Sequence, residues 1–471
     1  MPTCLASTSE ALGGSSLPAL KSRSLRFARF SEPQLKEEPR KKYFTEAFGL
    51  LPATDPHPLD RWLAWLMNDL ALKLADLLFG TLQSRLALHL SGGTMENAGI
   101  LVDRYGYPYI PGSGVKGIAR RAALYALRTW SVDGAGQKPT DLGEPATTIC
   151  APFDTADALA EVILRTFGWT DGEWKDGRTS KSMLRSDLEW ALGEGEPWIE
   201  ARARIAMRLA QHDGVRIEKG IPKENFAGLA RFLEAKPIAA GYPERGKDLE
   251  IDVVTCHHGD YYAGRLPLAL DTEDPVPVYF PTVAPGITFV FAVTGTDAES
   301  VTLARASLDI ALSTFGAGAK TAAGYGWFDT SDAARSVAQQ SINERRQELI
   351  LQVAKRRKAA ALAAREQAEI QRLAAERERR AVLKVAEAAA TTPQAKEDIR
   401  IAALSDQQLE TKIQNWLKLE VTEKTAILRA LLGPRSALWA TITPRGDKKG
   451  QWRNAIEAVR AEAKRNKQPL L

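Results

Sequence analysis

Two stretches of this chain combine residue types in a pattern that suits phosphate chemistry. The first is Tyr109-Ile-Pro-Gly-Ser-Gly-Val-Lys-Gly-Ile-Ala-Arg-Arg121. Pro111 fixes φ and Gly112 permits a tight turn. Ser113 is a good N-cap for a helix predicted over about residues 115–128. Lys116, Arg120 and Arg121 then fall in its first turns. Free backbone N–H groups, the positive end of a helix dipole and flexible cations together suit a phosphate. The same residues also suit an ordinary capped helix with solvated basic side chains.

The second stretch is Phe315-Gly-Ala-Gly-Ala-Lys-Thr-Ala-Ala-Gly-Tyr-Gly-Trp-Phe328. Gly316, Gly318, Gly324 and Gly326 give the backbone freedom for a close approach. Lys320 and Thr321 add a cation and a hydroxyl. Tyr325 and Trp327 offer stacking planes or core packing. Ala319 separates Gly318 from Lys320, so this is no P-loop, and it precedes a strand rather than opening a helix. A plain glycine-rich turn between helix and strand is the simpler reading.

Other chemistry-bearing residues are isolated. Glu96 and Asp103 precede the first motif, where a carboxylate would hold Mg²⁺, assist in-line attack or, more simply, order the loop. His257 and His258 stand beside Cys256 and Asp260, but adjacent strand residues point to opposite faces, which disfavours one shared ion. His89 reads as a packed histidine. We expect no catalytic residue, no metal and no cofactor.

The elements that must position these residues follow from composition and periodicity. Of 471 residues, 44% are hydrophobic and 26% charged, which excludes disordered, fibrous and membrane-embedded classes. Basic residues number 63 and acidic ones 58, too even for a uniformly basic nucleic-acid protein. Cys4, Cys150 and Cys256 form no CxxC pair and suit a reducing cytosol. Residues 62–79 contain Asp69, Lys73 and Asp76, so they are no membrane span, and no secretory h-region opens the chain. A cytoplasmic protein without membrane partners is expected.

The charge is uneven. Residues 333–471 hold 28 basic and 16 acidic side chains, against 35 and 42 in residues 1–332. Residues 1–45 read as a flexible N-terminal arm and 46–330 as one mixed domain with a helical insertion at about 130–235. A long charged helix at 331–392 and a small helical module at 393–471 complete the chain. Within the mixed domain, helix is predicted at 59–79 and 301–315. Strand is predicted at 85–90, 249–255, 277–280, 287–293 and 324–328. The order strand–helix, insertion, strand–strand–helix–strand is a split βαβ, the plan of an α+β ferredoxin-like or RRM-type fold.

With both motifs in view the chain resembles the RAMP superfamily of CRISPR effector subunits, most nearly the sixth subunit of the type III-B Cmr complex. The resemblance rests on PYIPGSxxKGxxR, here with Gly114 where a second serine is commoner, and GxGAKTAxGYGWF about 200 residues later. It extends to Glu96-Asn97 with Asp103-Arg104-Tyr105-Gly106, to residues 252–262 and to residues 274–283. It spans roughly residues 80–330. It implies that Ser113, Lys116, Arg120 and Arg121, with Gly316, Gly318, Lys320, Thr321, Gly324, Tyr325 and Gly326, grip a guide crRNA backbone. It also implies a non-catalytic cap near the guide 3′ end. The partners would be crRNA, target RNA, the backbone RAMP subunit and the first Cmr subunit. Two rivals stand beside it: a RAMP endoribonuclease, and an assembly adaptor that recruits a partner through its tail.

Overall fold

The computed structural model describes residues 21–28, 37–50, 58–70, 74–92, 99–141, 145–175, 186–244, 246–269, 276–447 and 451–467. The chain divides into two units, Met1–Glu348 and Leu349–Leu471. It is a mixed helix-and-strand protein.

The first unit is organised by one antiparallel sheet. Strand β1 (Ala75–Leu82) lies between β6 (Thr288–Gly295) and β7 (Phe328–Asp329); β2 (Ala230–Phe232) and β3 (Lys236–Pro237) both pair with the far side of β6. In register, Ala75 faces Thr294 and Thr81 faces Thr288. Alternation along β6 serves two cores. Phe289, Phe291 and Val293 join Leu78 and Leu82 in the main core, against helices α4 (Gly112–Arg128) and α5 (Ala298–Ile310). Val290 and Ala292 face the other way, onto Leu63, Leu66, Leu70 and Phe79.

That two-sided burial overturns the helix predicted over 59–79. Only Pro58–Trp65 is α-helical; Leu66–Leu70 is a π-turn, and Ala75–Leu82 is strand. A strand buried on both faces is a continuous apolar run, and here its leucine spacing mimics a helix. Residues 85–90 form no strand and contribute single bridges at Leu86–Val283 and Ala87–Ala319. The predicted strands near 249–255 and 277–280 leave the sheet. As β4 (Leu249–Cys256) and β5 (Val276–Val283) they pair with each other in a separate ribbon. Residues 230–232, read as the end of the insertion, and 236–237, just past it, supply the sheet edge instead.

The predicted flexible arm also needs correction over its described part. Helices α1 (Arg23–Ala28) and α2 (Glu37–Phe48) place Phe27, Tyr43, Phe44 and Phe48 in the main core. The surrounding charges hid this short aromatic stripe from a compositional reading.

A helix runs over Asp332–Ala389. Its first turns belong to the first unit: Ala338 and Ile342 are buried with Leu63 and Leu66, Arg335 pairs with Asp309, and Arg345 pairs with Asp60 at 3.1 Å. From 351 to 380 every residue is exposed. The second unit has its own core, including Leu409, Ile413, Trp416, Ile427, Leu428, Trp439, Ile442 and Val459. Its helices Asp406–Gln414 and Val421–Leu432 each open on a capping box. Among the described residues no helix is long and apolar enough to cross a membrane.

Candidate nucleic-acid interface

The first motif begins its helix earlier than predicted. Helix α4 starts at Gly112 with Pro111 as N-cap, and no side chain caps it. Ser113 therefore sits exposed within the first turn, not at the cap. Glycine is required at 112 by packing: a Cβ there would lie 2.3 Å from the Phe232 carbonyl oxygen. Lys116 donates to the Ala227 carbonyl at 2.9 Å. Burial, with the Arg120 charge, holds its ammonium below the usual lysine range, partly offset by Glu173. Arg120 pairs with Glu173 and, at 3.0 Å, with Asp187. Arg121 is exposed and has no ion-pair partner among the described residues. Two of the three motif cations are thus committed inside the protein.

In the second motif the glycines answer to backbone packing. A Cβ at Gly318 would lie 2.4 Å from the Ala87 carbonyl oxygen, and one at Gly326 would lie 1.9 Å from that of Ala317. Both have positive φ, as do Gly316 and Gly324. The loop is bolted to residues 85–87 by Gly326 N–H to Arg85 O and Ala319 N–H to Ala87 O, both 2.8 Å. What it presents outward is Lys320, itself left-handed at φ 59°, with Trp327 also exposed. The Lys320 ammonium lies 5.5 Å from the Phe280 ring centroid, exposed and with no carboxylate partner among the described residues. Thr321 uses its carbonyl to accept a long 3.5 Å bond from the Trp327 indole N–H.

Tyr325 turns inward. Its hydroxyl donates to Asp252 at 2.5 Å, and Arg85 bridges Glu250 at 2.8 Å and Asp252 at 3.2 Å. Burial, then the Asp252 bond and charge, push the phenol up to about 12. Burial opposes ionisation of Asp252, yet bonds from Tyr325, the Val253 N–H and Arg85 hold it below the usual range. Tyr325 is therefore the pin between loop and ribbon, not a free stacking plane.

The two motifs are not brought together. Gly112 rests on Phe232, which pairs with Val293 at the level of Asp76. The glycine loop sits beyond the other end of β1, where the Gln83 N–H meets Trp327 O at 2.8 Å. Seven residues of strand separate these levels, roughly 20 Å. Helix α4 spans the gap, and its Tyr125 meets Phe315 at 5.2 Å.

Asp103 orders its own loop. One oxygen accepts from the N–H groups of Tyr105 (2.9 Å) and Tyr107 (3.1 Å), and the other from Lys236 at 3.3 Å. Glu96, Asn97 and Asp274 lie outside the described residues. His89 is exposed with φ 56°, contrary to the packed histidine expected. Among the described residues no three His, Cys, Asp or Glu side chains group around a metal-sized space. One cluster lies mostly outside the two motifs: Arg61, Trp62, Trp65, Arg104 and Tyr105, with Tyr109, line a cleft beside the Asp103 loop. Its signal was the density of arginine and aromatic residues in two short segments.

Against known proteins, the family model of the RAMP superfamily matches residues 75–329. CRISPR system Cmr subunit Cmr6 of Pyrococcus furiosus is 31% identical over 248 residues, covering 52% of this chain and 64% of that protein. The chain thus spans less than two thirds of that relative's length. The crystal structure of Cmr6 from Pyrococcus furiosus aligns at 25% identity and TM-score 0.26, over 55% of this chain and 98% of that one. A chain of type III-B Cmr-beta bound to cognate target RNA aligns at 20% identity and TM-score 0.35, over 63% and 73%.

Proposed function

The chain belongs to the RAMP superfamily, and from that premise we propose that it is a non-catalytic, crRNA-binding subunit of a type III-B CRISPR effector, capping the complex near the guide 3′ end. The identity with Cmr6 across 248 residues is the observation that carries this reading. Its partners are crRNA, target RNA and neighbouring Cmr subunits. Strand order β2–β6–β1–β7, all antiparallel, supports reading the sheet as ferredoxin-like.

RNA held by its backbone needs cations and shape more than base-edge contacts. Lys320 and Arg121 are exposed motif cations without an ion pair among the described residues, so they are the residues we assign to phosphates. Lys116, Arg120 and Tyr325 act by holding the two contact points in place. The exposed Ser113 and the half-buried Thr321 flank them, and Gly316, Gly318, Gly324 and Gly326 set the loop's path. The non-catalytic part of the reading is supported by Asp103, whose two oxygens serve backbone N–H groups and Lys236. Residues 349–471, outside the family match, hold a core of their own and favour a second role there as a protein-docking module.

Affinity purification of the tagged chain from its native host, with sequencing of bound RNA and identification of bound proteins, tests this. Guide-length RNA sharing one repeat-derived end, recovered with other RAMP proteins, is expected. Recovery without RNA, or RNA cleavage by the purified chain alone, would overturn it.

A further inference from the structure

We propose that the cleft between α3 (Pro58–Trp65) and residues 102–109 is an RNA contact separate from the cations of both motifs, holding one unpaired nucleotide with its phosphate. The proposal rests on the RNA-binding reading above. The cleft encloses about 690 Å³ and is lined by Arg61, Trp62, Trp65, Arg104, Tyr105 and Lys236, among others. That is within the size range of small-ligand sites.

Its electrostatics favour an anion. Arg61 and Arg104 both donate to the Tyr105 hydroxyl, at 3.4 Å and 2.8 Å, and their guanidinium carbons lie 6.0 Å and 4.8 Å from the same ring centroid. Neither has a carboxylate within ion-pair distance among the described residues. Two like charges gathered on one neutral phenol repel unless an anion joins them. The third cation differs. Lys236 is neutralised by Asp103 at 3.3 Å and Glu234 at 3.0 Å, so the two arginines carry the uncompensated charge.

The aromatic wall specifies a base. Trp62 and Trp65 lie 5.1 Å apart, and Trp65 keeps 40% of its surface exposed. Planar stacking surface and paired arginines are what an unpaired base and its phosphate use. An acidic peptide would engage the arginines alone. The walls are also preorganised: Arg23 donates to Gly106 O at 3.0 Å, Asp103 ties Tyr105 and Tyr107, and Arg345 anchors Asp60 on α3.

The test uses the full chain, single-stranded RNA carrying photoreactive thiouridine, and uridine monophosphate followed by tryptophan fluorescence. Uridine monophosphate should quench the wild-type signal, and crosslinks should fall on peptides containing Trp65 or Tyr105. Trp65→Ala should weaken RNA binding about fivefold or more, while Trp65→Phe keeps most of it. Arg104→Ala covers the case in which Trp65→Ala fails to fold. If Lys320→Ala weakens RNA binding but folded Trp65→Ala and Arg104→Ala match wild type, the cleft proposal fails and the function reading stands. If the wild type binds no RNA, the function reading fails. The cleft as an RNA contact then fails with it, whereas the preceding outcome overturns the cleft alone.

Discussion

Arg23 and Asp248, 225 residues apart, form an ion pair of 2.5 Å with both side chains shut from solvent. Arg23 also donates to the carbonyls of Gly106 and Phe48, and the Tyr242 hydroxyl donates to Asp248 at 2.7 Å. Burial first, then the Asp248 charge and bond, raise the Tyr242 phenol well above its ordinary range. One buried guanidinium thus ties the N-terminal helices, the 103–107 loop and the start of the β4–β5 ribbon together.

Removing one member of such a pair strands the other charge in the interior. Arg23→Met should therefore destabilise the first unit by about 3–5 kcal/mol. Arg23→Met with Asp248→Leu should recover a large part of the loss. Urea titration followed by hydrogen exchange of the β1 and β6 amides reports on this unit alone. A loss under about 1 kcal/mol would mean that the pair is not the buried tie described.

The two motif lysines should part company. Lys320 is exposed, so Lys320→Ala should weaken RNA binding and reduce the slope of log affinity against log salt by about 0.7, one phosphate's share on a single strand. Lys116 spends its ammonium on the Ala227 carbonyl. Lys116→Ala should therefore leave the slope nearly unchanged and cost stability of about 1 kcal/mol. Equal slope changes in both variants would put Lys116 on the RNA as well.

The Tyr325–Asp252 bond should have two pH limits. Asp252 has its folded pKa lowered, so its contribution is complete above the unfolded value near ~4 and fades as pH falls through the folded one. Tyr325 has its folded pKa raised to about 12. Its contribution is complete below the unfolded value near ~10 and is lost as pH rises from there through the folded one. The stability difference between wild type and Tyr325→Phe should be flat between these limits and shrink on both sides. A difference that instead varies across neutral pH would assign the linkage to another group.

Legibility in the sequence followed how local the physics is. The helix at 112–128, the glycine loop and the glycine-free helix after 331 announce themselves through neighbours in the chain. Strand Ala75–Leu82 did not, because burial on both faces removes the alternation that marks a strand. The N-terminal helices were hidden because Arg23 reads as a solvated charge until Asp248 is placed beside it. In the site, glycine spacing was legible but its cause was not. Gly318 and Gly326 make room for the protein's own carbonyls, and the exposed charge falls to Lys320. The arginine–aromatic cleft needed two segments, 58–65 and 102–109, that only the fold brings together.

The basic tail should be removable at one boundary and not at another. Residues 349–471 carry 25 basic and 14 acidic side chains, against 38 and 44 in residues 1–348. Any long-range attraction to RNA should therefore come from the tail, and act mainly on association rate at low salt. The charge boundary near 331 suggests cutting after Thr330, but the structure argues against it. Ala338 and Ile342 are buried on Leu63 and Leu66, and Arg345 pairs with Asp60. A cut at 330 exposes that apolar surface and removes the Ile342 contact, worth about 1.5–3 kcal/mol by itself. Truncation after Glu348 keeps these turns, so the two truncations should differ in stability by at least that amount. The longer one should retain the RNA-binding mode and its Lys320 dependence, while stopped-flow association slows at low ionic strength and converges on wild type at high. Equal stability of the two truncations would show that the first turns of the helix do not pack as described. Association as fast as the full chain at low salt would assign residues 349–471 to protein docking alone.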